Sequence, residues 1–210
     1  MEGWEVVRIS PMITVDHIRQ ALDGYRPQLL PHNEDMKWAG VAAVVRDGAG
    51  GAELLFIRRA EDDHDPWSGH MAFPGGRMDP GDETVAAAAV RETREEIALD
   101  LENGGRLLGR LSDVAAVSRG RPLSLVIVPH VFQVLGNPRF ERNYEVAEVL
   151  WVSLDYLADY DNRSTVDWRL GSMTIPLPCY RYHDRVIWGL TFGMVDELLG
   201  LLTTHLDRER

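Results

Sequence analysis

Three closely spaced glutamates follow a glycine-rich segment and could bind a divalent cation. Glu92, Glu95 and Glu96 lie in a stretch that favours a helix, and Phe73-Pro74-Gly75-Gly76 precedes it. Side chains at i, i+3 and i+4 share one helix face. Carboxylates held together raise each other's pKa values, and a hard cation such as Mg²⁺ or Mn²⁺ relieves this repulsion. The pattern predicts a metal site, although a solvated face with Arg91 paired to Glu95 fits the same spacing.

The helix that would carry these glutamates is predicted over Val85–Ile97. At about 100° per residue its apolar residues gather away from the glutamates, so one face can pack on a sheet while the other faces a cleft. Thr84 or Asp82 can cap the first turn, and Glu83 favours the positive end of the helix dipole. The glycines upstream allow a backbone carbonyl or amide to approach a metal or a phosphate closely.

This part of the chain resembles the signature of the Nudix hydrolases. The signature runs Gly, five residues, Glu, seven residues, Arg-Glu, an apolar residue, any residue, Glu-Glu, any residue, Gly, then an apolar residue. The chain matches it at Gly76, Arg91-Glu92, Glu95-Glu96 and Leu99. It departs by one extra residue before Arg91, so either Asp82 or Glu83 can take the first acidic position, and by Thr93 and Ala98 in place of an apolar residue and the last glycine.

The resemblance implies a fold, an activity and roles for these residues. The fold would be α+β, a Nudix-like α/β/α sandwich with a central mixed sheet. The activity would be metal-dependent hydrolysis of a diphosphate bond in a nucleoside diphosphate derivative. Glu92, Glu95, Glu96 and Gly76 would hold Mg²⁺ or Mn²⁺, and Arg91 would lock the loop through an acidic partner. Glu95 and Glu96 would also act in catalysis.

A further carboxylate from outside the signature often acts in this family as a metal ligand or general base. Glu145 is the preferred candidate here, and Glu148 lies close by in sequence. A carboxylate in this position could accept the proton of the attacking water. An ordinary exposed loop acid is the alternative for Glu145.

The extra residue is shared with the coenzyme A diphosphatase branch of the family. Ala72–Arg77 and Ile187–Thr191 also look like that branch. The branch carries Arg-x-His-x-Gly-Gln before its Phe-Pro-Gly-Gly, whereas this chain has Asp-Pro-Trp-Ser-Gly-His over Asp65–His70. The resemblance implies a substrate such as coenzyme A or a related acyl-coenzyme A, with a changed preference left open. ADP-ribose, NADH and dinucleoside polyphosphates are the alternatives.

Five further side chains are candidates for contacting the substrate: Arg58, Arg59, Trp67, His70 and Arg77. The arginines could bind phosphates, Trp67 could stack on a base, and His70 could reach a phosphate. Each also has a structural explanation, since arginines at strand ends are often solvated and tryptophan often packs in the core.

Two other functions use the same scaffold. A non-catalytic Nudix-like sensor would bind a nucleotide diphosphate, but such proteins usually show eroded glutamates and all three are present here. An isomerase of prenyl diphosphates would be expected to use a cysteine near the active site. Cys179 is the only cysteine and lies far down the chain.

The periodicity of the chain mixes helices with strands and favours an α+β layered domain. We predict an N-terminal helical extension over residues 1–35 and a hydrolase domain, with a C-terminal helix, over residues 36–210. Predicted helices cover Val15–Tyr25, Val85–Ile97 and Leu190–Leu206, with a helical turn at Leu154–Leu157. Predicted strands cover Gly40–Arg46, Glu53–Arg58, Gly105–Leu111, Leu123–Val134, Glu148–Val152, Val166–Leu170 and Met173–Ile175. Pro129 suggests a bulge or a sheet edge in its strand.

The amino-acid composition limits the kinds of molecule that the protein can bind. A formal net charge of −11 over 210 residues argues against a nucleic-acid partner. A phosphorylated small molecule remains suitable because a metal can supply the positive charge. The single cysteine, the lack of a signal-peptide pattern and the lack of a long apolar run predict a cytoplasmic protein that does not span a membrane. A homodimer is compatible with the sequence.

Overall fold

The computed structural model describes residues 12–31, 35–63, 65, 67–118, 121–170 and 173–208. Residues 1–11 and 32–34 of the predicted extension lie outside this range. No helix in the described part combines the length and the apolar composition that a membrane span requires. The helices are α1 Val15–Leu22, α2 Val85–Ile97, α3 Leu101–Gly104, α4 Leu154–Ala158 and α5 Gly189–Arg208, with a 3₁₀ turn at Tyr160–Asn162.

The strands follow the predicted ones but most are longer. Helix α3 and four short strands carry too few residues for a periodic signal and were not expected from the sequence; the strands are Met71–Ala72, Gly75–Arg77, Val114–Ser118 and Arg185–Trp188. The strands are β1 Lys37–Gly48, β2 Gly51–Arg59, β3 Met71–Ala72, β4 Gly75–Arg77, β5 Gly105–Arg110, β6 Val114–Ser118, β7 Arg121–Val134, β8 Val146–Ser153, β9 Arg163–Leu170, β10 Met173–Tyr182 and β11 Arg185–Trp188.

The central sheet is mixed and carries helices on both faces. Within the described residues, eight strands form it in the order β3-β2-β1-β7-β5, with β4 beside β1, β6 beside β7 and β8 beside β2. Strands β1 and β7 run parallel, and the other pairs are antiparallel. Helices α2 and α3 cover one face, and α1, α4 and α5 cover the other. The predicted α/β/α sandwich is confirmed.

Alternation along β1 divides the core between the two faces. Ala42 and Val44 pack on the α2 side, and Ala43 and Val45 pack on the α1 and α5 side. Helix α2 approaches β1 so closely at Gly40 that a Cβ there would lie 2.0 Å from the Val85 carbonyl oxygen. This contact fixes the start of α2 over the sheet, and α2 carries the predicted metal ligands.

The N-terminal helix shares the core of the larger domain. Val15 and Ile18 of α1 belong to the same apolar cluster as Met194 of α5. The helix ends at Leu22 rather than at the predicted Tyr25, because Asp23 leaves the helical conformation with a ψ of 118°. Gly24 follows with a left-handed φ of 76°, and the Tyr25 N–H closes the turn on the Leu22 carbonyl at 3.1 Å. The division at residue 35 stays a prediction.

Pro129 does not mark a sheet edge, so that alternative was wrong; the pairing of β7 instead passes from β5 to β6 with a one-residue offset beside Pro129. Strand β7 has β1 on one side and β5 and β6 on the other. The carbonyl of Pro129 accepts a hydrogen bond from the Leu111 N–H at 2.9 Å. Its nitrogen points to the same side, where the neighbour changes from β5 to β6. The missing N–H therefore breaks no ladder.

A second, three-stranded sheet follows in the order β11-β10-β9. Strand β10 continues to Tyr182 instead of ending at the predicted Ile175. Pro176 and Pro178 lie inside it, opposite Asp167 and Thr165 of β9. Proline is tolerated in a strand where its nitrogen faces away from the neighbour. The prolines therefore do not end the strand.

Candidate active site

A cleft of about 500 Å³ opens between the glycine loop, helix α2 and the start of helix α5. One wall is charged and the other is apolar. The charged wall includes Glu92, Glu96, Glu145, Arg59 and Arg77. The apolar wall includes Trp67, Phe73, Leu125, Ile127, Trp188, Leu190 and Met194. A cleft of this composition can hold a ligand with an anionic part and an apolar part.

Glu96 is the most deeply buried acid of the cleft, with 2% of its surface exposed. Its Oε2 accepts a hydrogen bond from the Gly75 N–H at 2.9 Å. The nearest cation, Arg59 Nη1, lies 3.9 Å from Oε1. Burial raises the pKa of Glu96 to about 8, and the charges of Glu92 and Glu145 add to the effect. The carboxylate lacks full charge compensation in the protein alone.

Glu92 lies on the same wall, one helical turn before Glu96. Its Oε1 is 3.0 Å from Arg91 Nη1. Burial raises its pKa, which Arg91 partly offsets. A Cβ built on Gly76 would lie 2.4 Å from its carboxyl carbon, so only glycine leaves room for Glu92 in this position. Gly76 thereby places the loop backbone directly against the acidic helix.

Arg91 ties the loop to helix α2. Its Nε and Nη2 donate to the two oxygens of Asp82 at 3.1 Å and 2.9 Å, and Nη2 also donates to the Arg77 carbonyl at 3.0 Å. These hydrogen bonds lower the pKa of Asp82 and raise that of Arg91. Of the two acids that the sequence left open, Asp82 is the partner of Arg91. Glu83 is exposed at the helix start, where Thr84 caps the helix through the Ala87 N–H.

Glu95 is not among the residues that line the cleft, and its role as a metal ligand and catalytic residue stays a prediction. Its side chain is 53% exposed and pairs with Arg91 Nη1 at 3.3 Å. At about 100° per residue, Glu96 lies 40° from Glu92 whereas Glu95 lies 60° away on the other side. In this conformation Glu92 and Glu96 face the cleft, whereas Glu95 lies on the other side of an arc of about 100° and pairs with Arg91.

The neighbouring Arg58 and Arg59 differ in position. Arg59 lines the cleft, and its Nε donates to Asp65 Oδ2 at 2.6 Å. Arg58 is not among the residues that line the cleft, and its contact with substrate stays a prediction; its Nε lies 3.6 Å from Glu148 Oε2. Successive side chains of a strand point to opposite faces of the sheet, so the two arginines meet different neighbours.

Trp67, His70 and Arg77 all line the cleft. The His70 ring packs on Trp188 with 4.8 Å between ring centroids. Burial lowers the pKa of His70, so the ring is neutral near pH 7 and contributes shape more than charge. Glu145 lies in the turn before β8 and faces the same cleft.

Apart from Trp67 and Phe73, the sequence did not indicate the residues of the apolar wall as part of the site. Leu125 and Ile127 come from β7, and Trp188, Leu190, Thr191 and Met194 come from the junction of β11 and α5. The resemblance over Ile187–Thr191 was the one available signal. Ordinary core spacing hides the rest, because these residues reach the cleft only through long-range pairing.

The donor set suits a hard divalent cation. Glu92, Glu96 and Glu145 supply carboxylate oxygens, and their repulsion calls for positive charge. Within the described residues no three Asp, Glu, His or Cys side chains already converge on one point as metal ligands. Mg²⁺ commonly takes one or two carboxylates and completes its shell with water and phosphate oxygens. The residues present therefore fit such an ion.

The α/β/α sandwich and the acid-lined cleft beside a glycine loop define a hydrolase class that acts on phosphate anhydrides. The family model described as NUDIX domain matches residues 36–169, and the chain belongs to this family. Nudix hydrolases cleave diphosphate bonds of nucleotide derivatives and generally use divalent metal ions. The predicted family membership is confirmed.

Curated relatives include two informative matches. The chain is 29% identical over 173 residues to the Nudix hydrolase NudL of Pectobacterium atrosepticum, covering 82% of this chain and 85% of that protein. It is 31% identical over 137 residues to the mitochondrial coenzyme A diphosphatase NUDT8 of Mus musculus, covering 64% and 63%. The chain thus spans less than two thirds of the mouse protein.

Solved structures support the fold. A MutT/nudix family protein from Enterococcus faecalis matches with a TM-score of 0.51 at 16% identity, over 92% of this chain and 70% of that one. A NUDIX hydrolase from Alicyclobacillus acidocaldarius matches with a TM-score of 0.50 at 18% identity, over 82% and 96%.

Proposed function

We propose that this protein hydrolyses the diphosphate bond of coenzyme A or a related acyl-coenzyme A in the presence of Mg²⁺ or Mn²⁺. The observation that carries the proposal is the buried carboxylate of Glu96 beside Glu92 and Glu145 in a cleft with an apolar wall. A buried group of acids is costly without positive charge. A divalent cation would compensate the negative charge of these acids and would at the same time bind the diphosphate of the substrate.

Glu92 and Glu96 would hold the ion, with the loop backbone at Gly76 beside them. When bound, the ion neutralises the diphosphate and lowers the pKa of the attacking water. Glu145 stands at the cleft as the general base that accepts the proton of that water. Arg59 and Arg77 would contact the phosphate oxygens. Because Arg59 Nε donates a hydrogen bond to Asp65 Oδ2, Arg59 would bind phosphate through its other nitrogens or after this bond breaks.

The apolar wall supports a substrate with an extended, weakly polar arm. Trp67, Trp188 and Met194 offer such an arm flat, apolar surface. The similarity to a mitochondrial coenzyme A diphosphatase favours coenzyme A derivatives within that class. Asp65 and His70 stand where the coenzyme A branch has different residues, so an acyl or otherwise modified form is the preferred candidate.

A product-resolved substrate panel tests this choice. Coenzyme A, an acyl-coenzyme A, ADP-ribose, NADH, a dinucleoside polyphosphate and a nucleoside triphosphate would be compared with Mg²⁺ and with Mn²⁺. We expect the highest kcat/KM for a coenzyme A derivative, with cleavage of the anhydride bond in its diphosphate bridge. A higher value for ADP-ribose or a dinucleoside polyphosphate would move the substrate to that class. Binding without turnover of any compound would indicate a sensor.

The Glu96→Gln variant tests the chemistry separately from the substrate. Its amide oxygen can still accept from the Gly75 N–H, and a neutral side chain is easier to bury, so the fold should persist. We expect kcat to fall by about 10³-fold or more, since the variant loses the negative charge that holds the ion. The exposed Glu83→Gln is the matched control and should keep wild-type turnover. Wild-type kcat in Glu96→Gln would overturn the assignment.

A further inference from the structure

The outer edge of β9 is open in the three-stranded sheet. Within the described residues β9 pairs only with β10. Asp167 lies opposite Pro176 and Thr165 lies opposite Pro178. A proline in a strand directs its nitrogen away from the neighbouring strand, so Pro176 and Pro178 form pairs without hydrogen bonds with β9. In such a pair both residues direct their N–H and C=O groups away from each other. Thr165, Asp167 and, two residues further on, Arg169 therefore direct these groups to the outer edge of β9.

These outward groups form an unprotected strand edge. The Thr165 carbonyl accepts a hydrogen bond from Arg181 Nη2 at 3.1 Å. The N–H and C=O of Asp167 and Arg169 have no partner in the described part of the chain. On the far side of the hairpin, Pro176 and Pro178 remove donors from the edge of β10, a common protection against strand addition. Strand β9 has no proline and remains competent to pair.

The side chains along β9 separate into a charged face and an apolar face. Asp167 and Arg169 are exposed on the first, and neither forms an ion pair within the described residues. Val166 and Trp168 are half-buried on the second, opposite Leu177 and Ile175 of β10. These four apolar residues belong to neither of the two core clusters.

We propose that β9 pairs antiparallel with β9 of a second copy of this chain, around a two-fold axis at Trp168. Residues whose backbone N–H and C=O groups face outward must lie opposite each other to form hydrogen bonds. These residues alternate along β9, so the two-fold axis must pass through a residue and not between two residues. An axis at Asp167 sets two aspartates opposite each other, an axis at Arg169 sets two arginines opposite, and an axis at Val166 sets Arg163 opposite Arg169. Like charges directly opposite destabilise a sheet. An axis at Trp168 instead sets Asp167 opposite Arg169 twice.

This arrangement satisfies the open edge. Each hydrogen-bonded pair exchanges two backbone bonds, so the two Asp167–Arg169 pairs supply about four. The two copies of Trp168 meet as a pair without hydrogen bonds, with Cβ atoms about 5 Å apart. The small sheets of the two copies become one continuous sheet whose apolar face runs across the axis. Such an isologous contact closes as a dimer and does not propagate.

Charge exchange tests the register. In sedimentation velocity over a concentration series, wild type should form dimers, and Asp167→Arg and Arg169→Asp should each be monomeric because like charges then face each other. An equimolar mixture of the two single variants should form heterodimers, and the double variant Asp167→Arg/Arg169→Asp should regain the homodimer. A monomeric wild type, or single variants that dimerise like wild type, would overturn the proposal.

A cysteine at the axis tests the same register by geometry. Under oxidised glutathione, Trp168→Cys should give a disulfide-linked dimer, because the Cα atoms of a pair without hydrogen bonds lie about 4.5 Å apart, within the range that a disulfide spans. Val166→Cys on the same face is the matched control and should stay uncrosslinked, since its copies lie several residues apart. The native Cys179 is buried and does not compete. Equal crosslinking of both variants, or none with Trp168→Cys, would contradict a pairing centred on Trp168.

Discussion

Replacement of Gly76 by alanine perturbs the acidic cleft at one known point. The added Cβ would lie 2.4 Å from the carboxyl carbon and Oε1 of Glu92, whereas ordinary contact begins near 3.4 Å. The clash is with the end of a flexible side chain, so Glu92 can rotate away. Its carboxyl group must move by about 1 Å, the difference between these distances. We expect the fold to persist and the position of Glu92 to be lost.

The expected cost falls on turnover. A displacement of about 1 Å in a positioning group can lower the rate by about 100-fold. The assay is kcat for hydrolysis of the best substrate at saturating Mg²⁺, together with the melting temperature of the same preparation. The melting temperature should change little, since surface adjustments of this kind are usually worth less than about 0.5 kcal/mol.

Alanine substitutions at two other glycines of the same loop region distinguish an effect on turnover from an effect on stability. A Cβ on Gly75 would lie 2.3 Å from the Gly40 carbonyl oxygen, and its φ of 148° is unfavourable for alanine. Gly75→Ala should therefore lose about 3 kcal/mol or more of stability, because backbone cannot yield. Gly81 has no atom within 4 Å of a built Cβ, so Gly81→Ala should resemble wild type. Wild-type kcat in Gly76→Ala would refute the assigned role of Glu92.

Three further predictions concern stability and the loop lock. Ala98→Gly should raise stability by about 1 kcal/mol in calorimetry, because Ala98 holds a left-handed φ of 56° at the end of α2; an unchanged or lower melting temperature would contradict this. Asp82→Ala should lower kcat by releasing Arg91, whereas Glu83→Ala should not, and equal effects would show that Asp82 is not the specific partner. Desolvation lowers the pKa of the buried His130 to about 4, below the ordinary value near 6.5. Between about pH 4 and pH 6.5 His130 is therefore protonated in the unfolded chain and neutral in the folded protein, which favours unfolding as the pH falls. Stability should be full above about pH 6.5 and fall by at most about 3 kcal/mol toward pH 4, and His130→Leu should flatten that part of a denaturation series; an equal slope in the variant would assign the loss to other groups.

Local signals in the sequence predicted the element that carries the chemistry. Helix α2 begins and ends at the predicted residues because Thr84 caps it and its apolar face has a clear period. The resemblance to the Nudix signature also indicated the glycine loop and the role of Arg91. The partner of Arg91 was not, since Asp82 and Glu83 are adjacent and only the path of the turn decides which carboxylate faces the guanidinium.

The features that the sequence did not predict depend on contacts between segments that are far apart in the chain. The apolar wall joins β7 to the start of α5, and nothing in either segment indicates the other. Strand β10 was cut short at Ile175 because the prolines that follow usually end a strand, and their tolerance depends on which edge they face. Glu95 belongs to a matching motif, yet its angle on α2 directs it to Arg91 in this conformation.

Anomalous diffraction from a crystal soaked in Mn²⁺ tests the central claim most directly. We expect an anomalous peak within coordination distance of carboxylate oxygens of Glu92 and Glu96, inside the cleft. The same soak of Glu96→Gln should lose that peak or weaken it strongly. No peak at this place in the wild-type protein at saturating Mn²⁺, or a peak only elsewhere, would contradict the account.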